Sequence, residues 1–196
     1  MRVFGVVLVS TVIALGVASV SAQATKPKQA APAAPGTPRG AGPVVVVETE
    51  RGTFEFETYP NEAPKTTAHV LDLVRKRFYN GQRFHRVEPT FVVQVGDPSS
   101  RDFARKAEWG TGGSGKTVGV AEFSKLRTHV RGAVALAHPV PGHARDGDSQ
   151  FYITLSSAHR LDGSFTVFGK VISGMDVVTR LGVGDRISRV TVKGER

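Results

Sequence analysis

The sequence predicts a mainly β fold, either a closed antiparallel barrel or a sandwich, on three observations. Eight short runs are rich in β-branched and aromatic residues. Only two segments carry helical spacing, and the strands do not alternate with helices as a parallel sheet would require.

Residues 1–24 have the order of a signal peptide: Arg2 supplies positive charge, Val3 to Val20 is apolar, and Val20-Ser21-Ala22 and Ala22-Gln23-Ala24 offer cleavage sites. Export to a periplasm or the extracellular space is the expectation. An uncleaved membrane anchor is the alternative, since the apolar run approaches the roughly 18 residues of a spanning helix, although Gly5, Ser10, Thr11 and Gly16 weaken it. Residues 25–43, rich in Ala, Pro and Gly, cannot bury enough apolar surface to fold and read as a flexible tether. The folded domain is expected over residues 44–196.

Within it, Val44 to Glu50 is a β-branched run, Arg51-Gly52 marks a turn, and Phe54 and Phe56 alternate with polar residues; the two strands should form a hairpin. Pro64 suits the first turn of a helix whose apolar face is Val70, Leu73, Val74 and Phe78, with Asn80-Gly81 ending it. Further strands are expected at Phe84 to Val87, Phe91 to Val95, Gly132 to Ala137, Gln150 to Leu155, Phe165 to Val171 and Ile187 to Lys193. A second short helix is expected at Met175 to Leu181.

A length of 196 residues suits one domain. The absence of cysteine removes disulfides, thiolate metal sites and cysteine nucleophiles. The net charge of +9 is inflated by the N-terminal segment; from residue 44 onward 22 basic residues face 17 acidic ones. Such a balance suits a solvated surface, and no stacking or recognition motif points to nucleic acid.

Gly110 to Thr117 matches the spacing of a phosphate-binding loop. That mechanism needs a buried strand before and a helix after, whereas Arg101 to Trp109 is charged and Val118-Gly119-Val120 opens no helix. A surface loop, without bound nucleotide, is expected. His138, His143, Asp146 and Asp148 could ligate a metal by residue type, but they fall among Pro and Gly in a loop, and no metal is expected. His69, His129 and His159 carry no recognisable chemistry and read as surface or packing residues.

The segment Phe78 to Pro98, FYNGQRFHRVEPTFVVQVGDP, carries Phe84-His85-Arg86 leading into Phe91, Gln94 and Gly96-Asp97. Two more blocks follow in order: Arg131 to Ala137 with Ser149-Gln150-Phe151-Tyr152-Ile153, and Leu161 to Val171. Together with Ala63-Pro64-Lys65-Thr66 and Gly110 to Gly113, these resemble the cyclophilin-type peptidyl-prolyl cis-trans isomerases over essentially everything after the tether. The resemblance implies a closed antiparallel eight-stranded β-barrel capped by two α-helices, acting as a monomer on proline-containing peptides and folding proteins, with no cofactor.

Rotation of an X–Pro bond makes and breaks no covalent bond, so a catalyst needs only to bind the twisted amide better than either planar isomer. Twisting returns the lone pair to the prolyl nitrogen, and a fixed guanidinium aimed there stabilises the twisted state selectively. The resemblance gives that part to Arg86, with Gln94 orienting it. It makes Phe91, Val92, Tyr152 and Leu161 the apolar grip on the proline ring, and adds His85, Ala137, His138, Gln150 and Phe165 to peptide binding, His138 through its backbone.

Departures from the family pattern fall at the same site. Val92 replaces a common methionine, Val95 a glycine, and Phe165 a frequent histidine. Tyr152 replaces phenylalanine, and its hydroxyl is expected to retune the pocket along with Val92. Arg160 replaces the tryptophan whose indole contacts cyclosporin in eukaryotic members. None removes a group the chemistry needs. The second functional expectation is a binding module or chaperone that holds proline segments with little turnover; intact Arg86 and Gln94 favour the enzyme.

Overall fold

The structure is a computed structural model that describes residues 42–140 and 142–195. The expected signal peptide, residues 1–24, and tether residues 25–41 lie outside them.

Among the described residues there are eight strands, two α-helices and four short 3-10 helices. β1 (Val44–Thr49) and β2 (Gly52–Thr58) form the expected hairpin. α1 (Pro64–Arg75) follows, then β3 (Arg86–Glu88), β4 (Val92–Val95), β5 (Ala133–Leu136), β6 (Phe151–Thr154) and β7 (Val167–Ser173). α2 (Met175–Thr179) and β8 (Ile187–Val192) end the chain. The strands pair antiparallel in the order β3-β4-β6-β5-β7-β2-β1-β8, one sheet curled on itself. Closure is only approximate. The edge strands β3 and β8 do not pair with each other; instead residues 81–84 meet residues 184–187, through bonds such as Gly81 N–H to the Ile187 carbonyl (2.9 Å) and Ile187 N–H to the Gln82 carbonyl (2.8 Å).

α1 begins at Pro64 without a local side-chain cap. The cap comes from afar: the Glu122 carboxylate accepts from Lys65 N–H (3.0 Å) and Thr66 N–H (2.9 Å), which satisfies orphan donors and places negative charge at the positive end of the helix. The helix stops earlier than its apolar spacing predicts. Phe78 N–H bonds to the Leu73 carbonyl and Arg77 N–H to that of Val74, with Arg77 left-handed at φ 57°, so Arg77 takes the place a glycine usually fills in a Schellman motif. Phe78 therefore packs on the core from outside the helix, and Asn80-Gly81 belongs to the next turn. β3 also starts at Arg86 rather than Phe84, and β4 at Val92 rather than Phe91.

Two apolar clusters share the same strands, because alternate residues leave opposite faces of a strand. Val93, Val95, Val134, Leu136, Phe151, Ile153 and Phe168 point into the barrel core with Phe54, Phe56 and Phe84. Their neighbours Val92, Ala133, Ala135, Ala137, Tyr152 and Val167 form a second, outer cluster, against which Phe91, Leu161 and Phe165 pack. Strands buried on both faces read as continuous apolar runs, which is why β5 shows no alternation. The outer cluster is where the site lies.

Candidate active site

On the outer face a cavity of about 250 Å³ is lined by Arg86, Phe91, Val92, Gln94, Ala137, His138, Tyr152, Leu161 and Phe165. A second cavity of about 700 Å³ shares Arg86, Gln94, Ala137 and His138 with it and adds His85 and Gln150. Every residue that the resemblance assigns to catalysis or peptide binding thus lines one or both.

β3 and β4 place the polar side. Arg86 and Gln94 are register partners across the ladder, and Arg86 Nη1 donates to Gln94 Oε1 at 2.9 Å. Gln94 Nε2 donates to Gln150 Oε1 (2.9 Å), and Gln150 Nε2 to the carbonyls of Gly110 and Gly112 (2.8 Å each). Glu88 completes the arrangement: its Oε1 accepts from Arg86 Nε at 2.8 Å and from Nη2. Glu88 was not among the residues singled out from the sequence; its place two residues after Arg86 on a strand was the available signal, since i and i+2 share a face.

The apolar side comes from β4, β5, β6 and the segment after β6. Tyr152 and Phe165 meet edge to face at 5.7 Å, and Phe165 stacks on His138 at 4.3 Å. His138 is also held by its side chain, with Nδ1 2.7 Å from the Val140 carbonyl. The Tyr152 hydroxyl, expected to retune the pocket, is bonded to His129 Nε2 at 2.9 Å. His129 is a fully buried packing residue, stacked on Tyr152, and its Nδ1 lies 2.7 Å from Asp162 Oδ1, so that it also links the pocket wall to that carboxylate. Burial holds its pKa below the ordinary histidine value, against the Asp162 carboxylate. Burial works against Asp162 too, but bonds from the His129 backbone, the His129 ring and His159 outweigh it and take the carboxyl down to about 2. Arg160 lies with its guanidinium 4.2 Å from the Phe91 ring centroid at the rim.

The glycine-rich loop walls the second cavity with Trp109 to Gly113 and Thr117. Three of its N–H groups are already taken by carboxylates: Gly110 (2.5 Å) and Gly112 (3.2 Å) donate to buried Asp97, and Gly115 (2.9 Å) to Asp148. A Cβ on Gly112 or Gly113 would lie 2.4 or 2.5 Å from those carboxylate oxygens, so glycine is required there for the loop to lie on them. The His85 ring sits mostly buried against Gly110, and desolvation lowers its pKa. The four residues weighed as metal ligands do not converge. Asp148 serves Ser114 and His69, His143 and Asp146 pair with each other, and among the described residues no group of three or more His, Cys, Asp or Glu could hold a metal.

Residues 44–194 match the family described as "Cyclophilin type peptidyl-prolyl cis-trans isomerase/CLD". The chain is 40% identical over 142 residues to peptidyl-prolyl cis-trans isomerase B of Bacillus subtilis, covering 72% of this chain and 91% of that one. It is 36% identical over 144 residues to peptidyl-prolyl cis-trans isomerase-like 1 of Aspergillus fumigatus, covering 71% and 81%. The fold superposes on a Cryptosporidium parvum cyclophilin-type isomerase with TM-score 0.68 and 24% identity, over 79% of this chain and 99% of that one. The same protein was also crystallised in the presence of the dipeptide Ala-Pro. The chain belongs to the cyclophilin-type peptidyl-prolyl cis-trans isomerases.

Proposed function

We propose that this isomerase turns X–Pro bonds in exported proteins during their folding, with Arg86 as the group that acts on the twisted amide. The observation that carries the reading is a guanidinium held from two sides, facing the apolar wall of one cavity. Amide resonance sets a barrier of about 18–20 kcal/mol, and no acid, base or nucleophile is required to cross it. Phe91, Val92, Tyr152 and Leu161 grip the proline ring and exclude water, while the chain before the proline rotates in the open second cavity. Arg86 N–H then meets the prolyl nitrogen only when its lone pair is released, which binds the transition state more tightly than the ground state.

The Ala-Pro dipeptide used with the structural neighbour is the smallest ligand of this kind and supports the same substrate class here. The order of charge, apolar run and small residues in positions 1–24 supports export. An isomerisation assay on short X–Pro peptides tests the activity, and N-terminal sequencing of the native protein tests the export. Acceleration and a start just after Ala22 or Ala24 are expected; an uncut Met1 in a membrane fraction would favour the anchor.

A further inference from the structure

Glu88 stands two residues after Arg86 on β3, so both side chains leave the same face, and its register partner is Val92 in the pocket wall. Its Oε1 accepts from Arg86 Nε at 2.8 Å and from Nη2, while Nη1 goes to Gln94 on the other side at 2.9 Å. All three guanidinium nitrogens therefore have a partner, and the partners lie on two different strands. From Gln94 the bonds continue through Gln150 to the Gly110 and Gly112 carbonyls, so the line that starts at Glu88 ends in the loop that walls the second cavity.

We propose that Glu88 is a positioning residue for the isomerisation: it fixes the plane and direction of the Arg86 guanidinium at the proline pocket. The inference rests on the reading of Arg86 as the group that acts on the amide. Stability is not what the pair supplies, because the two side chains are 46% and 48% exposed, and exposed ion pairs add little to folding. What it removes is rotamer freedom. An arginine anchored only through Nη1 can swing about that bond, whereas anchoring at Nε and Nη2 as well leaves one orientation, and donor direction is what selective stabilisation of the twisted amide depends on. The carboxylate also draws on the positive charge of Arg86. Positioning outweighs this because the acceptor is a neutral nitrogen reached along a defined direction.

Isomerisation kinetics, peptide titration and melting of the purified protein test the proposal on Glu88→Ala, Glu88→Gln, Arg86→Ala and the double variant Arg86→Ala/Glu88→Ala. Glu88→Ala should lower kcat/KM about 3–10-fold through kcat, with KM and melting temperature nearly unchanged. Glu88→Gln keeps the shape and an acceptor oxygen without the charge, so it should lose less, and it preserves the test should the alanine variant fold poorly. In the Arg86→Ala background the Glu88 substitution should cost nothing further, since its target is gone. Wild-type or higher rates in both Glu88 variants, or an equal loss with and without Arg86, would overturn the proposal. A wild-type rate in Arg86→Ala alone would instead remove the catalytic reading beneath it, and the two failures are distinct.

Discussion

The Tyr152 hydroxyl lies 2.9 Å from Nε2 of His129, a ring with no solvent exposure. The pocket wall is thereby tied to Asp162, whose second oxygen meets His159 Nδ1 at 2.9 Å. Tyr152→Phe keeps the ring that lines the cavity but leaves a buried imidazole nitrogen without a partner. It should cost about 1–3 kcal/mol of stability and leave the isomerisation rate little changed. Denaturant midpoints beside peptide kinetics check this; a lost rate at full stability would place the hydroxyl in the reaction.

Stability should also fall in acid, in two stages. Burial lowers the pKa of His129 and of His85 below the unfolded histidine value of about 6.5. Below that pH the unfolded chain binds protons that the folded chain does not, so stability drops as pH falls through it. Asp162, at about 2 when folded, adds a second loss between about pH 4 and pH 2, because its carboxylate must then be protonated. Melting temperatures from pH 8 to pH 3 should decline accordingly, with a shallower fall below pH 4 in Asp162→Asn. A flat profile down to pH 5 would contradict the buried neutral histidines.

The phosphate-loop spacing of Gly110 to Thr117 should bind no nucleotide, since Asp97 and Asp148 occupy N–H groups that would have to cradle a phosphate and set negative charge against it. ATP and GTP should not shift the melting temperature, as a ligand of the native state must. A saturable shift would show that the loop can leave its carboxylates. Asp97→Ala should instead loosen the loop and lower the melting temperature, because Ser99, Gly110 and Gly112 lose their shared acceptor.

The strands were legible because half-buried and fully buried runs declare themselves by residue type, and the pocket residues because the motifs around Arg86, Tyr152 and Leu161 resemble a family. What escaped was chemistry that depends on three-dimensional pairing. Phe78 fits the helical face of Leu73 and Val74, and nothing local reveals that Arg77 adopts a left-handed conformation before it. Glu122 caps a helix that begins 58 residues earlier in the chain, at Pro64, and His129 meets Asp162 33 residues on. The approximate closure of the barrel rests on residues 81–84, which carry turn rather than strand character. Loops likewise build the second cavity, and their residue types suggest only solvent exposure.

In the proposed mechanism Arg86 acts on the twisted amide while apolar side chains hold the ring. Arg86→Ala removes one preorganised donor, worth about 2.7–4 kcal/mol of transition-state stabilisation, or roughly 10²–10³ in rate. Phe91, Val92, Tyr152 and Leu161 would still hold the proline, so peptide affinity should fall far less than turnover. Arg86→Lys should not restore the rate, because an ammonium lacks the planar fork that Glu88 and Gln94 hold. The most direct measurement is kcat/KM of folded Arg86→Ala on a short X–Pro peptide. A loss of about 10²-fold or more is expected, and a rate close to that of the unaltered protein would contradict the account.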